Sequence, residues 1–251
     1  MFADARVVVV VPAFEEEARI AQVLRTLPAW IDHVVVVDDA SRDRTAEMAK
    51  AVADPRIIVL SHSENRGVGA AIVTGYRHAL TLTHAARDVL VVMAGDGQMD
   101  PADLPVVVGP IARGDAGYVK GERFSAPDIR SVMPTGRRLG GLVFSFLTSL
   151  AIGVSIHDSQ CGYTALARGA CEALALDALW PRYGYPNDLL AQLAQRRIPI
   201  AEVPVRPIYA GEESKLRLWH LPRIVRIIAR SAWKVRVEGA AAGAEAAGAT
   251  R

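Results

Sequence analysis

The chain has 251 residues, 51% of them hydrophobic, and its 29 basic against 27 acidic side chains leave a net charge of +2. That length can bury one sizeable core, or one core with a small appendage, and the near balance of charge excludes a global nucleic-acid signature. Cys161 and Cys171 fit neither a disulfide framework nor a zinc site, so a reducing compartment is expected.

Arg6 to Val11 reads as a first strand halted by Pro12, and Met1 to Arg6 leaves no room before it for a signal peptide. Glu15 to Leu27 reads as a helix with an acidic first turn and apolar positions at Ile20, Val23, Leu24 and Leu27. His33 to Val37 is a second strand ending at Asp38-Asp39, and Ser41 or Asp43 is placed to cap a helix reaching about Val52. Arg56 to Leu60 is a third strand. Asn65-Arg66-Gly67-Val68-Gly69 opens a helix through about Leu82. Val89 to Met93 then reads as a strand buried on both faces, running into Ala94-Gly95-Asp96-Gly97-Gln98-Met99-Asp100. Strands alternating with helices at this spacing predict a parallel, three-layer α/β unit over residues 1–100.

Beyond Asp100 the rhythm changes. Pro101 to Ala112 reads as a short helix, Gly117 to Gly121 as a strand ending at Glu122-Arg123-Phe124, and Ser125 to Gly136 as a loop. Leu139 to Ile156 carries no charge, but its glycines, serines and Thr148 make it too polar for a bilayer span, so a packed or interface-lying helix is expected. A polar knot at His157 to Tyr163, a helix from Asn187 to Arg196 and a strand from Ile198 to Val205 follow. From Trp219 to Val237, Arg223, Arg226, Arg230 and Lys234 recur along one helical face, with Ile224, Ile227, Ile228 and Trp233 on the others. A basic amphipathic helix with tryptophans signals a membrane surface. Glu238 to Arg251, mostly Ala and Gly, reads as a disordered tail.

The chemistry collects at strand ends. Asp38-Asp39 and Asp96 each terminate a predicted strand, and in a doubly wound sheet such carboxyl ends face one crevice. Asp96, Gln98 and Asp100 offer the hard oxygens that Mg²⁺ or Mn²⁺ prefers, although a plain polar turn after a core strand has the same composition. A dinucleotide fold would need G-x-G-x-x-G after the first strand, where this chain has Pro12-Ala13-Phe14-Glu15-Glu16-Glu17, whose carboxylates would repel a pyrophosphate. Gly67-Val68-Gly69 lacks the third glycine, and there is no Walker A motif.

Val-Val-Pro-Ala-Phe-x-Glu (Val10 to Glu16), Val-Val-Asp-Asp-x-Ser-x-Asp-x-Thr (Val36 to Thr45) and Asn-x-Gly-x-Gly-x-Ala (Asn65 to Ala71) resemble family 2 glycosyltransferases of GT-A fold. Gly95-Asp96-Gly97-Gln98, Gly121-x-Arg123-Phe124, Asp158-Ser159-Gln160-Cys161-Gly162-Tyr163 and Ser214-Lys215 narrow the resemblance to the dolichyl- and polyprenyl-phosphate hexose synthases. It covers residues 6 to about 216. It implies an α/β fold with a mostly parallel central sheet in a three-layer α/β/α arrangement. One GT-A domain would span residues 1–216, with a nucleotide-binding half (1–100) and an acceptor-binding half (101–216), ahead of the amphipathic helix (217–237) and the tail.

Carried over by position, the resemblance implies that Pro12, Ala13, Phe14 and Glu16 line the donor base and that Asp39 contacts base or ribose. Asp38, Ser41, Gly67, Ala94 and Gly95 complete the nucleotide-sugar set. Asp96 and Gln98 would hold the divalent metal, Mg²⁺ or Mn²⁺, on a UDP- or GDP-linked sugar, and Ser214 and Lys215 would close onto its phosphates. Arg123 and Arg137 would grip the acceptor phosphate, with Asp158 in the acceptor-side motif. Three positions depart from the family: Ala94 replaces its first metal carboxylate, Glu15 an asparagine, and Tyr209 a frequent arginine. Asp100 or extra waters would have to compensate for Ala94.

Charge distinguishes the acceptors. A hydroxyl nucleophile needs a general base, here Asp158 or Asp188, whereas a phosphate monoester is already an anion and needs arginines to orient it. Gln192-Leu193-Ala194-Gln195-Arg196-Arg197 does not match the Gln-x-x-Arg-Trp motif of hydroxyl-glycosylating relatives, which favours a lipid phosphate. Taken alone, Asp158 reads equally as a cap, Asp188 as a helix N-terminal charge and Cys161 as a small core residue. The expected enzyme is a metal-dependent, inverting hexosyltransferase. It would use a nucleotide-sugar donor and a lipid-phosphate acceptor, bind no nucleic acid, and attach peripherally to the cytoplasmic face of the membrane, an arrangement compatible with a homo-oligomer. The alternatives are transfer to a saccharide or other hydroxyl, and a catalytically weak nucleotide-sugar-binding protein.

Overall fold

The computed structural model describes residues 1–127 and 129–208, together with Arg226, Ala229 and Arg230. Its centre is β1 (Val7–Ala13), buried along its whole length. A strand buried on both faces needs apolar side chains in both directions, and the valine run supplies them. Val7, Val9 and Val11 enter one core, Val8 and Val10 the other. Each such side chain contributes roughly 1.5–3 kcal/mol on burial.

Around it lie β2 (His33–Asp38), β3 (Ile57–Ser61), β4 (Val89–Val92), β5 (Tyr118–Glu122), β6 (Thr164–Ala167) and β7 (Ile200–Pro204), in the order β3-β2-β1-β4-β6-β5-β7. All pairings are parallel except those of β6, which runs antiparallel to both β4 and β5. One face carries α1 (Ile20–Arg25), α2 (Thr45–Lys50) and, further on, α4 (Leu104–Arg113). The other carries α3 (Val68–Leu82), the end of α6 (Thr135–Ile152), α7 (Arg168–Glu172) and α8 (Tyr185–Gln195). A short α5 (Ile129–Val132) precedes α6. This is the three-layer, mostly parallel GT-A arrangement, and it points the carboxyl ends of β1, β2, β4 and β5 at one edge.

Several boundaries differ from the sequence reading. Pro12 does not halt β1: it pairs with Val37 of β2, and on the other side β4 has already ended at the Val10–Val92 pair, so the missing N–H forfeits no ladder bond there. The helix expected from Glu15 begins only at Ile20, because Glu15 adopts φ +56° and the Glu16 N–H donates to Thr45 Oγ1 at 2.8 Å. The acidic trio therefore precedes the helix. The predicted loop at 125–136 contains α5 and the start of α6, so Arg137 and Arg138 belong to the first turn of α6. Strand β6 has no counterpart in the sequence reading.

Among the described residues, no helix is long and apolar enough to cross a membrane. Helix α6 nonetheless exposes Leu139, Leu142, Val143, Phe146 and Leu150, with Phe146 69% and Leu150 71% accessible. Their spacing places them along one side of the helix. Arg226 and Arg230 are helical and exposed; the remaining charged positions of the amphipathic segment, and Tyr209, Ser214 and Lys215, lie outside the described residues.

Candidate active site

The strand ends enclose a cleft of about 420 Å³. Pro12, Ala13, Phe14 and Glu16 line it from the end of β1, Asp39 from β2, Gly67 from the turn before α3, and Ala94, Gly95 and Asp96 from the end of β4. Two donor-side candidates sit outside the lining. The Asp38 carboxylate accepts from Ser41 N–H at 3.3 Å, and Ser41 Oγ accepts from Glu15 N–H at 2.9 Å, so this pair shapes the loop behind the cleft.

Asp39 is buried and organises its surroundings. Its carboxylate accepts from the Arg66 N–H at 2.9 Å and the Gly67 N–H at 2.7 Å, and meets His62 Nδ1 at 2.7 Å. The turn that opens α3 is therefore built on Asp39. Asn65, Val68, Arg182 and Tyr183 also line the cleft, and sequence reasoning assigned none of them. Arg182 donates to Asn65 Oδ1 and to its carbonyl, each at 3.2 Å, and Pro181 O accepts from the Ala70 N–H at 3.0 Å. The glycines explain this approach: a Cβ on Gly67 would lie 2.6 Å from Arg182 Cγ and from Pro181 O. The glycine pair was the available signal, because it marks a close backbone approach without naming the partner. Gly67→Ala faces both that contact and φ +96°, so it is expected to cost about 1–3 kcal/mol and to weaken nucleotide binding by disturbing the Arg182–Tyr183 wall. Urea unfolding and calorimetric titration with nucleoside diphosphates check this; an unchanged variant would refute the wall.

The turn after β4 is a tight structure. Asp96 Oδ1 accepts from the Gln98 N–H at 3.0 Å, Gly97 takes φ +75°, and the Gln98 carbonyl accepts from Ile208 N–H at 3.0 Å. The Asp100 carboxylate caps the 3-10 turn at Pro101–Asp103 by accepting from Ala102 N–H at 2.9 Å through Oδ1, and it is not part of the cleft lining. No cluster of three or more His, Cys, Asp or Glu able to hold a metal occurs among the described residues. Asp96, the cleft carboxylate at the end of β4, and the nearby Gln98 amide are too few ligands for a resident metal centre. They do suit a hard cation that arrives with a diphosphate and completes its shell with phosphate oxygens and water.

The acceptor-side candidates come together past β5. Asp158, with no solvent exposure, accepts from Arg123 Nε at 2.7 Å and Nη2 at 3.0 Å, a bidentate pair. Burial alone would raise the Asp158 carboxyl; the Arg123 charge and hydrogen bonds outweigh it and hold the group below the usual carboxylate range. Beside it Lys120, fully buried, donates to the Cys161 carbonyl at 2.6 Å, and burial pushes its ammonium below the ordinary lysine range. Glu122 accepts from the Phe124 and Ser125 N–H groups, pinning the chain that follows Arg123. Gly141 packs on the Phe124 ring, so the N-terminal part of α6, which carries Arg137, runs beside this segment. Arg137 and Arg138 sit at the helix N-terminus, where a cation is unfavourable unless an anion offsets it. Asp188 lies apart, buried in the first turn of α8 with its carboxylate on Trp180 N–H at 3.1 Å. Both cysteines are free and buried, and burial pushes the Cys161 thiol up, as for an inert core residue.

Comparison with known proteins gives these features a context. The chain matches the glycosyl transferase family 2 model over residues 8–175. It is 31% identical over 222 residues to a UDP-N-acetylglucosamine–dolichyl-phosphate N-acetylglucosaminyltransferase of Methanococcus voltae, covering 82% of this chain and 87% of that protein. It is also 31% identical over 206 residues to an undecaprenyl-phosphate mannosyltransferase of Micrococcus luteus, covering 80% and 82%. Among solved structures, glucosyl-3-phosphoglycerate synthase from Mycobacterium tuberculosis, in complex with Mn²⁺, UDP and phosphoglyceric acid, superposes with a TM-score of 0.68 at 21% identity, covering 93% of this chain and 79% of that one. That likeness is one of fold.

Proposed function

This chain belongs to glycosyl transferase family 2 and is a glycosyltransferase, and from that premise we propose that it transfers a hexose from a UDP- or GDP-linked sugar to polyprenyl or dolichyl phosphate. The observation that carries the acceptor is the state of the carboxylates. Asp158 is locked to Arg123, Asp188 is committed to the Trp180 peptide, and Glu122 is committed to the peptides after Arg123. A hydroxyl acceptor approaching from the β5 side would need one of these carboxylates as its base, whereas a phosphate needs none. Arg123 and Arg137, together with the names of the two relatives, support the anionic lipid.

In this reading the donor lies in the cleft, its nucleoside against Phe14, Glu16 and Asp39 and its diphosphate towards Asp96. Asp96 and Gln98 would hold Mg²⁺ or Mn²⁺, which when bound offsets the charge growing on the leaving diphosphate. Arg123 and Arg137 orient the acceptor phosphate so that one oxygen attacks the anomeric carbon opposite the departing diphosphate, inverting that centre. Lys215 and Ser214, outside the described residues, are proposed to meet the diphosphate from the segment beyond Ile208. The test is turnover with short-chain polyprenyl phosphate across UDP- and GDP-sugars. Transfer to a saccharide hydroxyl, with none to the lipid phosphate, would overturn the reading.

The apolar stripe of α6, with Arg137 and Arg138 at one end, supports peripheral attachment to an anionic cytoplasmic leaflet, which would bring the enzyme to its acceptor. The double variant Phe146→Glu/Leu150→Glu is expected to lose most co-sedimentation with anionic vesicles while keeping donor binding. Equal sedimentation of variant and parent would remove α6 from the contact.

A further inference from the structure

We propose that Glu202 is a positioning residue for acceptor capture, setting through the His157–Asp158 peptides where Arg123 presents its guanidinium. The inference rests on the acceptor reading above and extends it to a residue that touches neither substrate. Glu202 lies on β7, at one edge of the sheet, opposite Lys120 of β5. Its side chain is 14% exposed. Both carboxylate oxygens accept from the His157 N–H at 2.9 Å, Oε1 also accepts from the Asp158 N–H at 3.1 Å, and His157 Nδ1 lies 2.8 Å from Oε2. Two successive peptide N–H groups converging on one carboxylate form a small anion nest. Here the anion is the protein's own side chain, so the nest fixes the backbone at the start of the loop 157–163.

That backbone carries Asp158, whose carboxylate spends its acceptor capacity on Arg123 Nε, Nη2 and N–H and on the Gln160 N–H. The contacts form one chain, from Glu202 to the peptides, to the Asp158 carboxylate, to Arg123. A bidentate pair transmits orientation as well as position, because the guanidinium plane must follow the carboxylate plane. If Asp158 loses its anchor, Arg123 keeps its charge and loses its aim.

Glu202→Gln and Glu202→Ala test this by two readouts. In a ¹⁵N spectrum of arginine Nε–H groups, with Arg123 assigned by Arg123→Lys, the Arg123 signal is expected to shift and lose exchange protection in Glu202→Gln. In steady-state kinetics with a short polyprenyl phosphate, acceptor KM is expected to rise about tenfold, the scale of one lost charge-assisted hydrogen bond, while donor KM stays within about twofold. In an Arg123→Ala background Glu202→Gln is expected to add nothing, since both act on one contact. An unchanged Arg123 signal, donor and acceptor KM rising together, or additive effects in the double variant would each overturn the inference. Absence of turnover by the parent enzyme on the lipid phosphate would instead count against the acceptor reading, and the Nε spectrum alone would then decide the role of Glu202. Should Glu202→Ala fail to fold, the near-isosteric Glu202→Gln carries both readouts.

Discussion

Asp96→Asn is expected to lower turnover by on the order of 10³-fold or more while leaving the fold intact. Asp96 is the cleft carboxylate at the end of β4, near Ala94. Of the other carboxylates lining the cleft, Asp39 is bonded to the turn before α3 and Glu16 lies at the end of β1, and the described residues hold no cluster of metal-ligating groups to take over from it. Stabilisation of leaving-group charge by a cation contributes several kcal/mol, and each 1.4 kcal/mol is about tenfold. The same scarcity of ligands predicts an order of binding. Calorimetry with Mn²⁺ alone should give at most weak heat, and Mn²⁺ added with nucleoside diphosphate should bind clearly, with the gain lost in Asp96→Asn. Tight Mn²⁺ binding without nucleotide, or an Asp96→Asn enzyme within tenfold of the parent, would refute this account of the site.

Arg123→Ala is expected to produce the largest loss of stability, about 3–5 kcal/mol, because it leaves the fully buried Asp158 carboxylate without its bidentate partner. The pH dependence carries a sign. In the parent protein the folded-state pKa of Asp158 is depressed, so its contribution is present above the unfolded carboxylate range and is lost as pH falls through the folded value. Without Arg123, burial dominates and pushes the group the other way. The variant should then be more stable at pH 5 than at pH 8, whereas the Asp158 contribution in the parent is flat between them. Urea unfolding at both pH values measures the difference. A flat variant, destabilised by less than about 1 kcal/mol, would show that Lys120 or solvent already neutralises Asp158 and that the pair is dispensable.

The first hundred residues were the more legible part. Valine runs, the Asp38-Asp39 and Asp96 strand ends and the Asn65–Gly69 turn are local patterns, and β1 to β4 and α3 formed near where those patterns place them. Strand β6 was invisible because Thr164-Ala165-Leu166-Ala167 is short, small and weakly patterned, and its strand character comes from pairing with β4 and β5. The start of α1 was misplaced because a hydrogen bond to Thr45, on another element, holds Glu16 before the helix. Arg182 and Tyr183 were missed because nothing local marks them; the segment reaches the cleft where Pro181 and Arg182 pack against Gly67 and Arg182 bonds Asn65.

By itself the sequence determined the alternation of strands and helices, the placing of Asp39 and Asp96 at strand ends, and the family motifs, since each depends on residues a few positions apart. The tertiary structure alone decided which charges meet past β5. The sequence did not pair Asp158 with any partner; Arg123, from another element, is brought against it inside the protein. Charges that far apart in the chain acquire a role only when folding removes water from around them and leaves each as the other's counter-ion.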